Sequence, residues 1–203
     1  MKKSFLLFVA VIAFGWQSCV KMSEEYFILG EAYFEKELYQ PAIFNLTKSI
    51  EINEDDASTF LLRAACFEQT GDLTAALSDY EKAIEIDESL TEAYLDKARI
   101  YRLTGQYKNA LKTYDLVLNE VDSLNFEAWK ERGTTQISRY KDPEALEDLN
   151  RACSIKNDDP ELLLTRALLL RRLEDSVGCC TDLQQAAQLG NPTAADYIDV
   201  FCK

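Results

Sequence analysis

The sequence predicts an all-α fold, a right-handed α-solenoid of five helix-turn-helix units closed by a C-terminal capping helix. Three observations predict this fold. The chain repeats with a period of 34 residues, each repeat holds two stretches of helical apolar periodicity, and large and small side chains occupy fixed columns. A period of this length is typical of helical repeat arrays, in which each unit packs only against its neighbours.

The repeats stay in register over most of the chain. They run over residues 23–56, 57–90, 91–124, 126–159 and 160–193, with the extra residue Asn125 between the third and fourth. One column is large and apolar: Tyr26, Phe60, Tyr94, Trp129 and Leu163. Two columns are small: Gly30, Ala64, Ala98, Gly133 and Ala167, then Ala42, Ala76, Ala110, Ala145 and Cys179. Small residues let the two helices of a repeat approach closely, and large ones fill the space between repeats.

Within each repeat, the turn residues place the helix ends. Gly71 and Gly105 stand where a first helix ends in a left-handed residue, and Asp142, Asp159 and Asn191 precede a proline as helix caps. The predicted helices lie near 24–36, 40–52, 57–70, 73–86, 91–104, 107–120, 126–139, 143–155, 160–172 and 176–188. A last helix within 192–203 forms the predicted cap.

The N-terminus has the pattern of an export signal. Two lysines precede an apolar run from Phe5 to Phe14, which is too short to span a bilayer because a span takes about 20 apolar residues. We expect residues 1–18 to be a signal peptide and residues 19–22 a short tether. Plain secretion and a retained short anchor are the alternatives.

Ser18 and Cys19 close the apolar run, and this ending resembles the signal of bacterial lipoproteins. With Trp16 and Gln17 before them, it is similar to the looser boxes of Bacteroidetes-type bacteria. The resemblance implies that Cys19 is acylated, with palmitate among its chains, and becomes the mature N-terminus. It also implies a membrane-anchored lipoprotein of the cell envelope, on the periplasmic face or at the outer membrane.

The repeat columns themselves resemble the tetratricopeptide repeat, from residue 23 to about residue 193. The stretch 77–87, LSDYEKAIEID, is nearly a consensus line of that family. The ending from Asp182 to Cys202 is also similar to the tails of short exported repeat proteins from Bacteroidetes.

Membership of this family implies a concave groove, lined by the first helices of successive repeats, that holds a protein or peptide partner. On that face the sequence places Phe27, Glu31, Phe34, Leu61, Leu95, Arg99, Arg102, Lys130, Leu164, Leu168 and Arg171. The apolar members would anchor an extended partner, with its acidic part over Arg99 and Arg102. Alternatively, these leucines cover neighbouring helices and the cations only solvate the rim.

Apart from Cys19, the chain has five cysteines, and export implies an oxidising compartment. If the last two helices fold back about Asn191, Cys180 and Cys202 both lie eleven residues from the turn, which predicts a disulfide between them. Cys179–Cys202 is the next choice, and a vicinal bond or a metal site is a further alternative. Cys66 and Cys153 fall at apolar helix positions and are interpreted as core residues.

The composition argues against catalysis and against nucleic-acid binding. The chain has no histidine, no Gly-rich phosphate loop and no nucleophile elbow, so we expect no catalytic residue, cofactor, metal site or small-molecule substrate. The net charge is −13, and −15 without Lys2 and Lys3, which repels phosphate backbones.

The sequence therefore favours a non-enzymatic protein–protein interaction scaffold, membrane-tethered in the bacterial cell envelope through its lipid. The alternative is a structural subunit or assembly helper of an envelope enzyme or secretion complex. A stable partner at equal stoichiometry would favour the second interpretation, and transient peptide binding the first.

Overall fold

The structure is a computed structural model that describes residues 21–202, and every regular element in this range is a helix. The predicted signal peptide and Cys19 lie outside the described residues. Helix α1 covers 21–34, so it includes two residues assigned above to the tether. The others are α2 (Tyr39–Ile52), α3 (Ala57–Thr70), α4 (Leu73–Ile86), α5 (Thr91–Leu103), α6 (Tyr107–Leu116, continued by a π-helix over Val117–Val121), α7 (Phe126–Ile137), α8 (Asp142–Ile155), α9 (Pro160–Arg172), α10 (Ser176–Gln188) and α11 (Pro192–Phe201).

The chain forms two compact units, and each has its own core. The N-terminal unit ends at Ala93 and contains the hairpins α1–α2 and α3–α4. Its core includes Ala42, Leu46 and Cys66, with aromatic side chains of α1 packed against them. The C-terminal unit begins at Tyr94 and continues through α11, with three apolar clusters along it.

The small columns confirm the predicted helix faces. A Cβ atom on Gly30 would lie 2.6 Å from Cγ of Leu46, and one on Gly133 would lie 3.0 Å from Cδ2 of Leu149. The second small column, on the second helix of each repeat, is buried throughout: Ala42, Ala76, Ala110, Ala145 and Cys179. The facing leucine side chain leaves too little room for a Cβ atom at either glycine, so glycine at these two positions follows from the packing.

All five hairpins turn through a left-handed residue at the same repeat position. Glycine supplies it twice, at Gly71 with φ 83° and at Gly105 with φ 74°. In the other three repeats the position is held by Glu37, Tyr140 and Glu174, with φ of 59°, 57° and 64°. The left-handed conformation costs an L-residue other than glycine roughly 1–2 kcal/mol, so these three turns are strained.

We expect Tyr140→Gly to raise the free energy of unfolding by about 0.5–1 kcal/mol, because it relieves this strain. The Tyr140 side chain is 85% exposed, so little packing is lost. Gly71→Tyr is the reciprocal control and should destabilise; a Cβ there meets no atom within 4 Å, so its cost is backbone strain alone. Urea denaturation measures both, and a less stable Tyr140→Gly would contradict the argument.

Polar caps fix the helix starts. Asp56, Asp72, Asn125, Asp159, Asp175 and Asn191 each accept a hydrogen bond from a backbone N–H in the first turn of the helix that follows. The prediction for Asp142 was wrong. Asp142 is the first residue of α8 and makes no cap; its carboxylate accepts a hydrogen bond from Arg172 instead.

The extra residue of the third repeat lies inside a helix rather than at Asn125. In α2, α4 and α8 the backbone N–H after the last residue bonds the carbonyl four residues back, as Asp87 does to Ala83. In the third repeat Asp122 donates to Val117, five residues back, across the π-helix. A π-turn holds one residue more than an α-turn, so the insertion is absorbed within Val117–Val121.

Deleting Asn119 should therefore be tolerated, because it converts the π-turn into an α-turn and restores the 34-residue period. Asn119 is exposed, so we expect a change in the free energy of unfolding within about 1 kcal/mol. The matched control deletes Glu85, the equivalent exposed residue of α4. Helix α4 contains no inserted residue, so this deletion should disturb its register. Thermal melts compare the two proteins, and equal losses of stability would place the insertion elsewhere.

Candidate partner-binding surfaces

In the N-terminal unit, the predicted partner-binding residues are partly committed to the core. Phe27 and Phe34 are half-buried and pack against the cluster of Ala42, Leu46 and Cys66. The Phe34 ring also meets Tyr39 edge-on, with 5.9 Å between centroids. Leu61 is half-buried, and Glu31 is exposed. On this unit Glu31 is thus the predicted residue that is most available to a partner.

In the C-terminal unit, the predicted apolar residues divide in the same way. Leu95 packs against the cluster that contains Ala98 and Tyr114. Leu164 packs against the cluster at the end of the chain. Leu168 differs, since it remains 40% exposed. Arg171 is exposed three residues further along α9, and residues three apart lie on one helix face.

The predicted cations already have partners within the C-terminal unit. The Arg99 guanidinium lies 2.8 Å from the Asp96 carboxylate, and Arg102 Nε lies 3.0 Å from Glu131 Oε2. Lys130 Nζ lies 2.9 Å from Glu127 and 3.8 Å from Asp159. The Arg171 guanidinium stacks 3.7 Å from the Phe201 ring centroid. To reach these cations, an acidic partner would have to displace the carboxylates that already pair with them.

Four buried polar side-chain atoms lack a well-aligned hydrogen-bond partner among the described residues. They are Arg102 Nε, Tyr114 Oη, Glu131 Oε2 and Gln136 Oε1. Burial, and then the charge of Glu131, raises the pKa of the Tyr114 phenol above its usual range. The tyrosine therefore stays protonated at neutral pH. The Arg102 and Glu131 side chains are 25% and 20% exposed, so this ion pair is partly buried.

Sequence reasoning missed a repeated ion pair that joins the two helices of a hairpin. Arg63, Arg132 and Arg166 each donate two hydrogen bonds, of 2.7–2.8 Å, to the carboxylate sixteen residues later, on Asp79, Asp148 and Asp182. Each guanidinium also donates to the second helix of the preceding repeat, at Thr47, Asp115 and Asn150. The sequence did contain a signal for these pairs: in three repeats an arginine at the same repeat position is followed sixteen residues later by an aspartate.

Burial opposes the charged form of both partners in the Arg132–Asp148 pair. The side chains of Arg132 and Asp148 are 16% and 4% exposed. Burial raises the pKa of the Asp148 carboxyl even though Arg132 donates two hydrogen bonds to its charged form. Asp115 and Asp148 together hold the pKa of Arg132 above its ordinary value, against the opposing effect of burial. The hydrogen bonds from Arg132 thus favour the charged form of Asp148, and burial opposes it.

The five cysteines within residues 21–202 are either disulfide-bonded or have a raised pKa. Cys180 and Cys202 form a disulfide, with Cα atoms 5.6 Å apart, and these are the residues paired by the sequence argument. Burial raises the pKa of the Cys66 thiol to about 11, and it also raises the pKa of Cys153 and Cys179. Thiols with raised pKa values are poor nucleophiles, so none of these three has the environment of a reactive cysteine.

Over residues 21–202, no group of His, Cys, Asp or Glu side chains has an arrangement that could hold a metal ion. Within the same range, no helix has the length and apolarity required to cross a bilayer.

The helical hairpins match known repeat proteins. The model of the tetratricopeptide repeat matches residues 26–56, 57–90 and 91–119, which lie within the first three predicted repeats. Comparison with curated proteins finds no match.

Solved structures share the fold at low sequence identity. The chain is similar to PilF of Pseudomonas aeruginosa, with 19% identity, a TM-score of 0.75, and 86% of this chain and 79% of the other covered. It is similar to MamA of Desulfovibrio magneticus RS-1, with 14% identity, a TM-score of 0.74, and 83% and 94% covered. It is also similar to YrrB, described as a TPR protein with an unusual peptide-binding site, with 24% identity, a TM-score of 0.62, and 71% and 74% covered. The all-α fold of the helical hairpins is that of tetratricopeptide repeat structures.

Proposed function

We propose that the protein is a non-enzymatic scaffold that binds a protein partner on the first helices of its repeats and is tethered to the bacterial cell envelope through a lipid on Cys19. The observation that carries the proposal is the exposed side chains on those helices. Glu31 on α1, and Leu168 beside Arg171 on α9, remain open to solvent within tightly packed hairpins. An exposed apolar side chain next to a cation suits an apolar anchor with an acidic neighbour.

An acidic segment of a partner could bind by displacing a carboxylate that pairs with an arginine of this surface. The side chains of Arg99 and Asp96 are 38% and 26% exposed, and the two residues lie three apart on one helix. Such surface pairs contribute about 0–1 kcal/mol, so a partner carboxylate could replace Asp96 at little cost. The peptide-binding site named for YrrB supports the same use of this fold.

The test is partner capture from native membranes with single charge-introducing variants. We expect Leu168→Glu to lose the partner, because it places an acid where an apolar anchor binds. Val177→Glu is the matched control, since Val177 is 80% exposed on α10 and outside the predicted surface. If Leu168→Glu retains every partner that the wild type captures, the first helix of the fifth repeat is not a binding surface.

The lipid anchor has its own test. Cys19→Ser should release the protein from the membrane fraction, since each buried methylene of an acyl chain contributes about 0.8 kcal/mol to anchoring. Mass spectrometry of the wild-type N-terminal peptide should show acyl chains on Cys19. Unchanged membrane fractionation of the variant would exclude the anchor while leaving the scaffold function open.

A second candidate, a structural subunit of an envelope complex, is favoured by apolar side chains of the first repeat that residues 21–202 leave exposed. Ile28 and Leu29 are 54% and 47% exposed. Their equivalents in the second repeat, Leu62 and Arg63, contact the repeat before them. A permanently bound neighbour could take this place. Purification from membranes at low detergent distinguishes the candidates: a partner at equal stoichiometry indicates a subunit, and a partner lost on washing indicates a scaffold.

A further inference from the structure

A groove of about 710 Å³ lies along the N-terminal unit between α2 and α4, with α3 at its base. Its size is within the range of ligand pockets, about 300–1,000 Å³. Apolar side chains contribute to it from three helices: Ile50, Phe60 and Ile86. None of the predicted partner-binding residues lines it, so the groove is separate from the surface considered above.

The charge of the groove is strongly negative. Five carboxylates line it, on Glu51, Glu54, Asp55, Asp79 and Glu85, against two cations, Arg63 and Lys82. The bidentate bonds from Arg63 neutralise Asp79, and the third bond of that guanidinium goes to Thr47. Lys82 is then the cation that lines the groove beside the remaining four carboxylates.

Two of these carboxylates are without an ion pair among the described residues. Glu54 and Asp55 lie in the turn between α2 and α3, at one end of the groove, and both are exposed. Glu51 and Glu85 do have lysine partners, on Lys48 and Lys82, three residues away on the same helix. Those lysines are 39% and 55% exposed, and surface pairs of this kind exchange readily.

Apolar surface framed by unpaired carboxylates in a concave site defines the complementary ligand. Concave walls focus the field of like charges and attract a cation, while Ile50 and Ile86 offer contact to an apolar side chain. A simple cation would leave the apolar surface unused, and an apolar segment without charge would leave Glu54 and Asp55 unmatched.

We propose that this groove binds a basic segment of a partner protein, with an apolar side chain of the segment on Ile50 and Ile86 and its lysine or arginine residues against Glu54 and Asp55. The scaffold would then have two binding surfaces of different chemistry. The first helices would meet an acidic segment and the groove between α2 and α4 a basic one.

Fluorescence anisotropy with the full chain in detergent tests this proposal. The probe is a fluorescein-labelled, N-acetylated peptide of sequence Arg-Leu-Lys-Leu-Arg, at about 50 mM salt to limit screening. We expect saturable binding that weakens about ten-fold in the double variant Glu54→Lys with Asp55→Lys. The matched control, Glu88→Lys with Asp158→Lys, makes the same charge change at exposed turn residues outside the groove and should bind as the wild type does.

A serine-for-leucine version of the peptide, and spermidine, separate the apolar contribution from charge alone. Weaker binding of both than of the leucine peptide supports the proposal. Equal binding of the serine peptide or of spermidine would overturn the apolar contact. Equal loss in the two double variants, no change in either, or no saturable binding would overturn the groove as a site. Leu168→Glu should bind the probe normally, so failure here is distinguishable from failure of the first-helix surface.

Discussion

Replacing Arg132 by leucine should lower the free energy of unfolding by about 3–5 kcal/mol, because it leaves the Asp148 carboxylate buried without its partner. The Asp148 side chain is 4% exposed, and Arg132 makes both of the ion-pair bonds it receives. The same substitution frees Asp115 on α6, but that carboxylate is 53% exposed and regains water. The loss should therefore arise mainly from Asp148.

The double variant Arg132→Leu with Asp148→Leu should recover most of this loss, since two apolar residues can replace a buried ion pair at little cost. Arg151→Leu, at an exposed position of α8, controls for the loss of a surface arginine. Chemical denaturation measures all three variants. A single variant within about 1 kcal/mol of the wild type would mean that the pair contributes no more than a surface pair does.

The pH dependence of the single variant gives a second readout of the same pair. Burial already raises the folded-state pKa of Asp148, and removing Arg132 removes the main opposing effect. A raised pKa means that the folded state binds the proton more tightly than the unfolded state does. The deficit of Arg132→Leu should therefore shrink as pH falls from 7 through the raised folded-state pKa of Asp148 towards about 4, where the aspartate of the unfolded chain titrates.

Reducing the disulfide between Cys180 and Cys202 should lower the free energy of unfolding by about 3 kcal/mol. The bond closes a loop of sequence separation 22, and opening it restores the conformational freedom of the unfolded chain. It also holds α11, whose Tyr197, Ile198 and Phe201 side chains cover the cluster of Leu163, Leu183 and Ala186. Terminal helices fray first, so the loss should be concentrated there.

Denaturation with and without dithiothreitol measures the effect, and amide hydrogen exchange locates it. Cys202→Ser is the control, because a chain without the bond should be insensitive to reductant. We expect faster exchange in α11 after reduction, with little change in α3 and α4 of the N-terminal unit. Equal stability of oxidised and reduced wild type would show that packing alone holds α11 in place.

Much of the fold could be predicted because the repeats reveal the same packing five times. The small columns identified the close contacts at Gly30 and Gly133, and the predicted bounds of α3, α4, α9 and α10 agree with those of the structure. The insertion could not be located in this way. The inserted residue shifts the repeat register, but this shift becomes visible in the sequence only after the helix has ended. The repeat alignment therefore placed the insertion at Asn125, whereas the π-helix absorbs it before Asp122.

The polar contacts were harder to predict, because they join residues that periodicity does not pair. An aspartate within a helix, such as Asp79, looks solvent-exposed until the arginine of the facing helix is brought within 2.7 Å. The exposure of the predicted partner-binding residues was also hard to predict. Leu95 and Leu168 occupy similar faces of first helices, yet the former packs on a core cluster and the latter stays 40% exposed.

The most direct test of the scaffold function is photo-crosslinking in native membranes, with a photoreactive amino acid at position 168 or at position 177. Both positions are exposed in the C-terminal unit, but position 168 is the one on the first helix of its repeat. We expect a discrete crosslinked protein from position 168 and none from position 177. The same product from both positions, or a product from position 177 alone, would contradict the central claim that first helices form the partner-binding surface.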